Sequence, residues 1–361
     1  MPSVSSWLFA LAQAAIVLGA PPKVSPDSFY DVQGHRGGRG DEIENTLPAF
    51  ARGLLNGVTS LEMDNGITKD GVVVVWHDEQ ILDTKCKDTK PVVANDPDFP
   101  YVGKFIANLT LAQVKTLDCG SERQLDFPMQ LIVPGTKLST LDEVFDFVKC
   151  VDTKREVFFN IESKVNPQFN GTTRGPDDFV NLQHAAFIKS GYPVERITYQ
   201  SFDWRTLIGM KQLDPRFARS ALISSSFAVG ANGTVSVWQA GLDISTFPGP
   251  TFGEKVAEAA ASIGATILSP AAADDATPVP DPTQPGFVPF TTKAMIDKSH
   301  QLGLQVKPWT VDDLNIAQQL LDFKADGIIT DFATNVRFLA QNAGLKIRPG
   351  FDANVVQTCL N

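Results

Sequence analysis

"TSLEMDNGITKDGVVVVWHD" (Thr59–Asp78) contains a strand, a turn and a returning strand, and it carries charge where a strand should be apolar. Side chains alternate between the two faces of a strand. Ser60, Glu62 and Asp64 therefore share one face, and Leu61 and Met63 share the other. Lys69-Asp70-Gly71 is a turn, and the run 72–77 (VVVVWH) folds back as a hairpin arm that ends in His77. Two carboxylates on the inner face of a barrel strand are costly unless something pairs them.

Working outward, short β-rich runs recur between helical patterns, which is the pattern of β/α units and a parallel sheet. They fall at about 30–35, 59–64, 156–162, 195–200, 218–223, 265–269, 304–309 and 326–330. Eight such runs predict an α/β fold of the (β/α)₈ TIM-barrel type. The hairpin after the second strand leads into a small insertion at about 80–137, in which "NLTLAQVKTLDCG" reads as a short capped helix. A second irregular stretch, 270–289, holds six prolines and follows the sixth run. It reads either as a rim or lid over the C-terminal face or as plain surface loop.

The 361 residues suffice for one large barrel, with 43% hydrophobic and 20% charged residues. A formal net charge of -10 argues against a nucleic-acid partner and against docking on anionic membranes through a basic patch. Residues 1–20 are mostly apolar from Trp7 and end in small residues, which predicts a signal peptide and a secreted protein. No later stretch is long and apolar enough for stable membrane insertion. The barrel domain is expected over 30–340, followed by a C-terminal tail at 341–361. Asn108, Asn170 and Asn232 each open an N-glycosylation triplet. Four cysteines (Cys86, Cys119, Cys150 and Cys359) allow three pairings, among which the sequence does not choose. Cys86 with Cys119 would staple the insertion, and Cys150 with Cys359 would tie down the tail.

In the run 156–162 and just beyond it, Asn160, Glu162 and Lys164 share a face. Glu62, Asp64 and Glu162 then converge as three oxygen donors, the arrangement a hard divalent cation needs. The alternative is a salt-bridged polar core with Arg36 and Lys164. Of four histidines, His184 and His300 lie on expected helices, whereas His35 and His77 end β runs and reach the C-terminal rim. Active sites of such barrels occupy that rim. Two histidines flanking a cation suit metal-assisted acid/base cleavage. In "QGHRGGRGDEIENT" (Gln33–Thr46), His35 and Arg36 read as an acid/base group beside an anion clamp. Gly37 and Gly38 clear room for the ligand, and Asn45 or Thr46 is the helix N-cap ahead of Pro48. Trp309 ends the seventh run and either closes over a substrate or packs in the core.

These blocks resemble the signature of the glycerophosphodiester phosphodiesterases in order and spacing. They are His35-Arg36-Gly37, Glu44-Asn45-Thr46, Glu62-x-Asp64, Thr68-x-Asp70-Gly71 and His77-Asp78, then "NIESK" at 160–164, "QSF" at 200–202, "WTVDD" at 309–313 and "DGIITD" at 326–331. The resemblance implies a barrel that hydrolyses small glycerophosphodiester substrates to an alcohol and sn-glycerol 3-phosphate with one divalent cation, Mg²⁺ or Ca²⁺, with Mn²⁺ as a further option. By position it implies Glu62, Asp64 and Glu162 as metal ligands and His35 and His77 as the acid/base pair. Arg36 and Lys164 fall where the family holds phosphate, with Glu44 and Trp309 as substrate contacts. Two rivals are a phospholipase D acting on lysophospholipids or sphingomyelin, which needs an apolar trough or exposed apolar loops at the rim, and a non-catalytic barrel binding module.

Overall fold

In the computed structural model, which describes residues 28–275 and 281–361, the run at Thr59 becomes a strand with two buried faces of opposite chemistry. The strands are β1 (Asp31–Gly34), β2 (Ser60–Ile67), β3 (Val73–Val75), β4 (Phe158–Ser163), β5 (Ile197–Ser201), β6 (Ala218–Ile223), β7 (Ile267–Pro270), β8 (Gln305–Val306) and β9 (Gly327–Thr330). All pair in parallel in the order β8-β7-β6-β5-β4-β2-β1-β9, except that β3 runs antiparallel to β2 as the hairpin arm. Backbone bonds from Asp326 N–H to Val306 O, Ile329 N–H to Pro308 O and Val311 N–H to Ile329 O join the two ends. The fold is a (β/α)₈ TIM barrel. The signal-peptide segment 1–20 lies outside the described residues.

Outward side chains such as Leu61, Met63, Phe159, Ile161 and Tyr199 are fully buried against the helical ring. The inward floor is polar. Asn160 Nδ2 donates to Gln33 Oε1 and Gln200 Oε1, both at 2.8 Å, and Lys307 Nζ pairs with Asp31 Oδ2 at 2.8 Å. A hydrogen-bonded floor avoids the cost of unpaired buried polar groups. It supports a layer of charge directly above it.

The insertion builds its own apolar core from Trp76, Ile81, Tyr101, Ile106, Leu109, Val114, Leu117 and Leu138, with the Cys86–Cys119 disulfide inside it. Its short helix Leu111–Val114 is held by a capping box between Thr110 and Gln113. At the far end, Cys150–Cys359 fastens the last helix, Ala353–Leu360, to the helix Leu141–Val151. Among the described residues, no helix is long and apolar enough to cross a membrane.

Candidate active site

The register of β2 and β4 sets Asp64 opposite Glu162 and Glu62 opposite Asn160. One oxygen of each of Glu62, Asp64 and Glu162 lies within 4.8 Å of the others, and all three residues are buried. Burial and the Asp64 charge drive Glu62 well above the usual carboxylate range. Burial also pushes Glu162 up to about 7, against the opposing pull of Lys164. Burial raises Asp64 too, but His77, Arg36 and Lys164 outweigh it and hold that carboxyl well below its ordinary value. Lys164 Nζ sits 3.0 Å from Glu162 Oε1 and 3.8 Å from Asp64 Oδ1. Despite the burial that opposes its charge, these two carboxylates raise its proton affinity. Lys164 and the Arg36 guanidinium, 3.2 Å from Asp64 and shared with Glu44, do not balance three carboxylates. The donor set is all oxygen, partly uncompensated, and fits a hard divalent cation.

His35 and Arg36 follow β1 in a tight turn, with Arg36 in the left-handed region at φ 53°. Arg36 N–H donates to Glu62 Oε2 at 2.8 Å, so the turn itself positions a cluster carboxylate. Gly37 serves packing rather than ligand clearance. A Cβ there would come within 2.9 Å of the Ala49 and Phe50 backbone, at φ 92°. That glycine lets the turn press on the helix Leu47–Asn56, which begins at the Thr46 cap with Pro48 in its first turn. Asn45 is no cap. Its Nδ2 donates to Asp64 Oδ2 at 2.9 Å.

Arg36 spends one edge on Glu44, Nη1 to Oε1 at 2.9 Å, and lies 3.2 Å from Asp64 through Nε, which finds no hydrogen-bond partner. Glu44 is a hub for cations. Its other contacts are Lys85 at 2.8 Å, Gln124 at 2.9 Å and Arg39 at 3.6 Å. Burial opposes its charge, yet Arg36 and Lys85 hold it far below the usual range.

The two histidines are built differently. His35 Nδ1 lies 2.7 Å from Asp331 Oδ1, and Asp331 is clamped by Arg39, whose Nη2 donates to Oδ2 at 2.7 Å. Burial works against Asp331's charge, but His35 and Arg39 keep it ionised, so Nδ1 carries the hydrogen and Nε2 faces Glu62 at 4.0 Å. His77 Nδ1 lies 3.1 Å from Asp78 Oδ1, and Asp78 in turn holds Lys85 at 2.6 Å. Burial, then the charges of Arg36 and Lys164, lowers His77 to about 4. Burial likewise lowers His35. His184 and His300 bond Asp214 and Asp326, which precede β6 and β9 at the opposite end of the barrel.

Beside the cluster opens a cleft of about 700 Å³. His77, Asp78, Glu162 and Lys164 line its polar side, and Phe202, Phe227, Trp238 and Trp309 line the other. The rings of Phe202 and Phe227, and of Phe227 and Trp238, are each 4.7 Å apart, and Phe202 meets Trp309 edge-on at 5.3 Å. Trp309 Nε1 donates to Ser269 O at 2.8 Å, which fixes the indole as a wall. The described part of 270–289 does not line this cleft; Ser224 and Ser225 tie it down through Asp274 and Asp275.

The sequence reading missed Asp331, Arg39, Asn45 and Lys85, all of which hold a proposed site residue. Asp331 had one usable signal, its place immediately after the last barrel strand, where such folds put functional groups.

Comparison with known proteins agrees with this geometry. Residues 35–335 match the model of the glycerophosphoryl diester phosphodiesterase family. A glycerophosphodiester phosphodiesterase of Caldanaerobacter subterraneus subsp. tengcongensis is 24% identical over 310 residues, spanning 86% of this chain and 97% of that protein. A solved Silicibacter pomeroyi structure superposes with a TM-score of 0.68 at 24% identity, covering 89% of this chain and 96% of that one. A phosphodiesterase of Oleispira antarctica, solved with the product sn-glycerol-3-phosphate, gives 0.59 at 18% identity over 87% and 97% of the two chains. Barrel, site and matches together define a phosphoric diester hydrolase. The chain belongs to the glycerophosphoryl diester phosphodiesterase family.

Proposed function

We propose that the protein hydrolyses glycerophosphodiesters to an alcohol and sn-glycerol 3-phosphate, with Glu62, Asp64 and Glu162 holding one divalent cation. The observation that carries this is the convergence of those three buried carboxylates, with His35 Nε2 4.0 Å from Glu62 and His77 lining the same cleft as Glu162. A cation bound there supplies Lewis-acid polarisation of the phosphoryl group. Arg36 and Lys164, on the two sides of Asp64, draw the phosphate in. The histidines divide the proton transfers. One accepts the proton of the attacking oxygen as the new P–O bond forms. The other, in its protonated form, gives its proton to the leaving alkoxide oxygen as the old P–O bond breaks, which yields the alcohol. Asp331 keeps the His35 ring oriented with Nε2 toward the site, and Glu44 holds Arg36 and Lys85 in place.

The aromatic wall favours a second reading, a phospholipase D-type action on lysophospholipids, in which the wall receives the acyl part. Release of sn-glycerol 3-phosphate from glycerophosphocholine and glycerophosphoinositol supports the first reading. Faster turnover of lysophosphatidylcholine, with choline as product, replaces it with the second. Secretion and N-glycosylation belong to the same proposal, supported by the exposure of Asn108, Asn170 and Asn232 and by two disulfides with no free cysteine among the described residues.

A further inference from the structure

Among the described residues, the stretch 124–133 of the insertion, "QLDFPMQLIV", holds the two most exposed large apolar side chains, Leu125 and Met129. It is folded so that every third side chain points inward. Phe127 N–H bonds Gln124 O at 3.0 Å and Gln130 N–H bonds Phe127 O at 3.1 Å, giving two successive turns. The inward groups grip the active-site loop. Gln124 Nε2 donates to Glu44 Oε2, Phe127 stacks under the Arg39 guanidinium at 4.6 Å, and Gln130 Nε2 donates to Arg39 O at 2.7 Å.

Apart from the Asp126 carboxylate, the side chains left outside are aliphatic or thioether. Leu125 is 89% exposed, Met129 77%, Leu131 55% and Ile132 43%. A loop free to move would turn such groups inward. This one is anchored at three points and cannot. Large apolar side chains exposed as a group, in contrast to ones scattered singly, mark an interaction surface.

We propose that this loop docks the enzyme on a zwitterionic phospholipid surface, Leu125 and Met129 entering the head-group layer beside the active site. Charge decides the occupant. The loop carries Asp126 and the exposed Arg123, whose Nη1 donates to Pro128 O at 3.2 Å, so it has no net charge. On a chain of net -10 it offers anionic lipid no basic cluster to hold, and a zwitterionic surface nothing to repel. The patch offers carbon and sulfur with no outward amide or indole, which suits interfacial burial better than a hydrogen-bonded protein interface. Its anchors, Glu44 and Arg39, are the residues that hold Arg36 and Asp331, so docking sets the catalytic mouth at the surface from which lipid-derived phosphodiesters arise. The inference rests on the proposed substrate class.

The test is flotation of the full chain with phosphatidylcholine vesicles, compared with Leu125→Ser/Met129→Ser, while turnover of soluble glycerophosphocholine is followed separately. The wild type should float with the vesicles. The double variant should lose roughly tenfold or more in partitioning, the change expected when two large apolar side chains stay in water. Its turnover of the soluble substrate should match the wild type. Replacing part of the phosphatidylcholine by phosphatidylserine should leave binding equal or weaker. The proposal is overturned if the wild type stays with the soluble fraction, if the double variant floats equally, if anionic lipid strengthens binding, or if the patch proves to hold a second copy, seen as a dimer that the variant converts to monomer. Vesicle binding is read without turnover, so a protein that floats but cleaves nothing fails the catalytic reading alone, and an active enzyme that ignores vesicles fails this one alone.

Discussion

Glu162→Gln, an exchange of nearly equal shape, should stabilise the cation-free protein at alkaline pH and prevent a divalent cation from doing so. Burial and Asp64 raise the Glu162 carboxyl from 4.5 to about 7. A carboxyl raised on folding binds its proton more tightly in the folded state, so stability falls as pH rises from the unfolded value to the folded one. Near pH 5 the folded protein keeps Glu162 neutral, as glutamine is. By about pH 8 it is ionised, and a shift of somewhat over two pH units at about 1.4 kcal/mol each amounts to a cost on the order of 3 kcal/mol. Asp64 is shifted the other way, so its transition lies below this window. The lowered histidines contribute equally to both proteins and cancel in the difference. For a 361-residue chain, unfolding entropy of about 2.1 cal/mol/K per residue converts this to roughly 4 °C in Tm. Differential scanning fluorimetry in chelator should therefore find the variant's Tm advantage growing by that amount between about pH 5 and pH 8. Added Mg²⁺ should then raise the wild type and leave the variant behind. A Tm difference independent of pH, or a variant less stable than wild type in chelator near pH 8, would refute the reasoning.

Three further outcomes are expected. His35→Ala and His77→Ala should each lower kcat by about 10²-fold or more with little change in KM, whereas His184→Ala and His300→Ala leave steady-state kinetics unchanged. Asp331→Asn should lower kcat by roughly tenfold or more through misorientation of His35, and should cost nothing further in a His35→Ala background, which a double-mutant cycle measures. Replacing Cys150 and Cys359 by serine should lower unfolding free energy in urea titrations by about 5 kcal/mol on the loop-entropy model, against about 4 kcal/mol for Cys86 and Cys119, because the closed loops span 209 and 33 residues.

The barrel was legible because its strands alternate. The runs at 156–162 and 218–223 fall within a residue or two of β4 and β6, and Leu61 and Met63 point to the helices while Glu62 and Asp64 point inward. The acidic cluster follows from that alternation plus the adjacency of β2 and β4. What the sequence hid is contact across distance. Asp331 meets His35 over 296 residues; its place after the last strand marks it as a rim residue, but nothing local names its partner. Asn45 looks like a cap because short polar residues before a helix usually are, but the left-handed backbone at φ 57° aims it at Asp64 instead. Gly37 was misread as room for a ligand because a glycine's reason depends on what lies above its missing Cβ, here the helix backbone. Lys85 was invisible for the opposite reason: it sits in an insertion without periodicity, where only the folded subdomain brings it to Glu44. Phe227 and Trp238 come from an irregular stretch after β6, so half of the aromatic wall had no strand to place it.

The central claim is metal-dependent cleavage of a glycerophosphodiester at the Glu62–Asp64–Glu162 cluster. Release of sn-glycerol 3-phosphate from glycerophosphocholine by the purified chain, after exhaustive chelation and then with Mg²⁺, Ca²⁺ or Mn²⁺ restored one at a time, tests it directly. The account predicts no turnover in chelator and recovery with at least one of the three cations. Undiminished release after chelation and metal-free dialysis would contradict it.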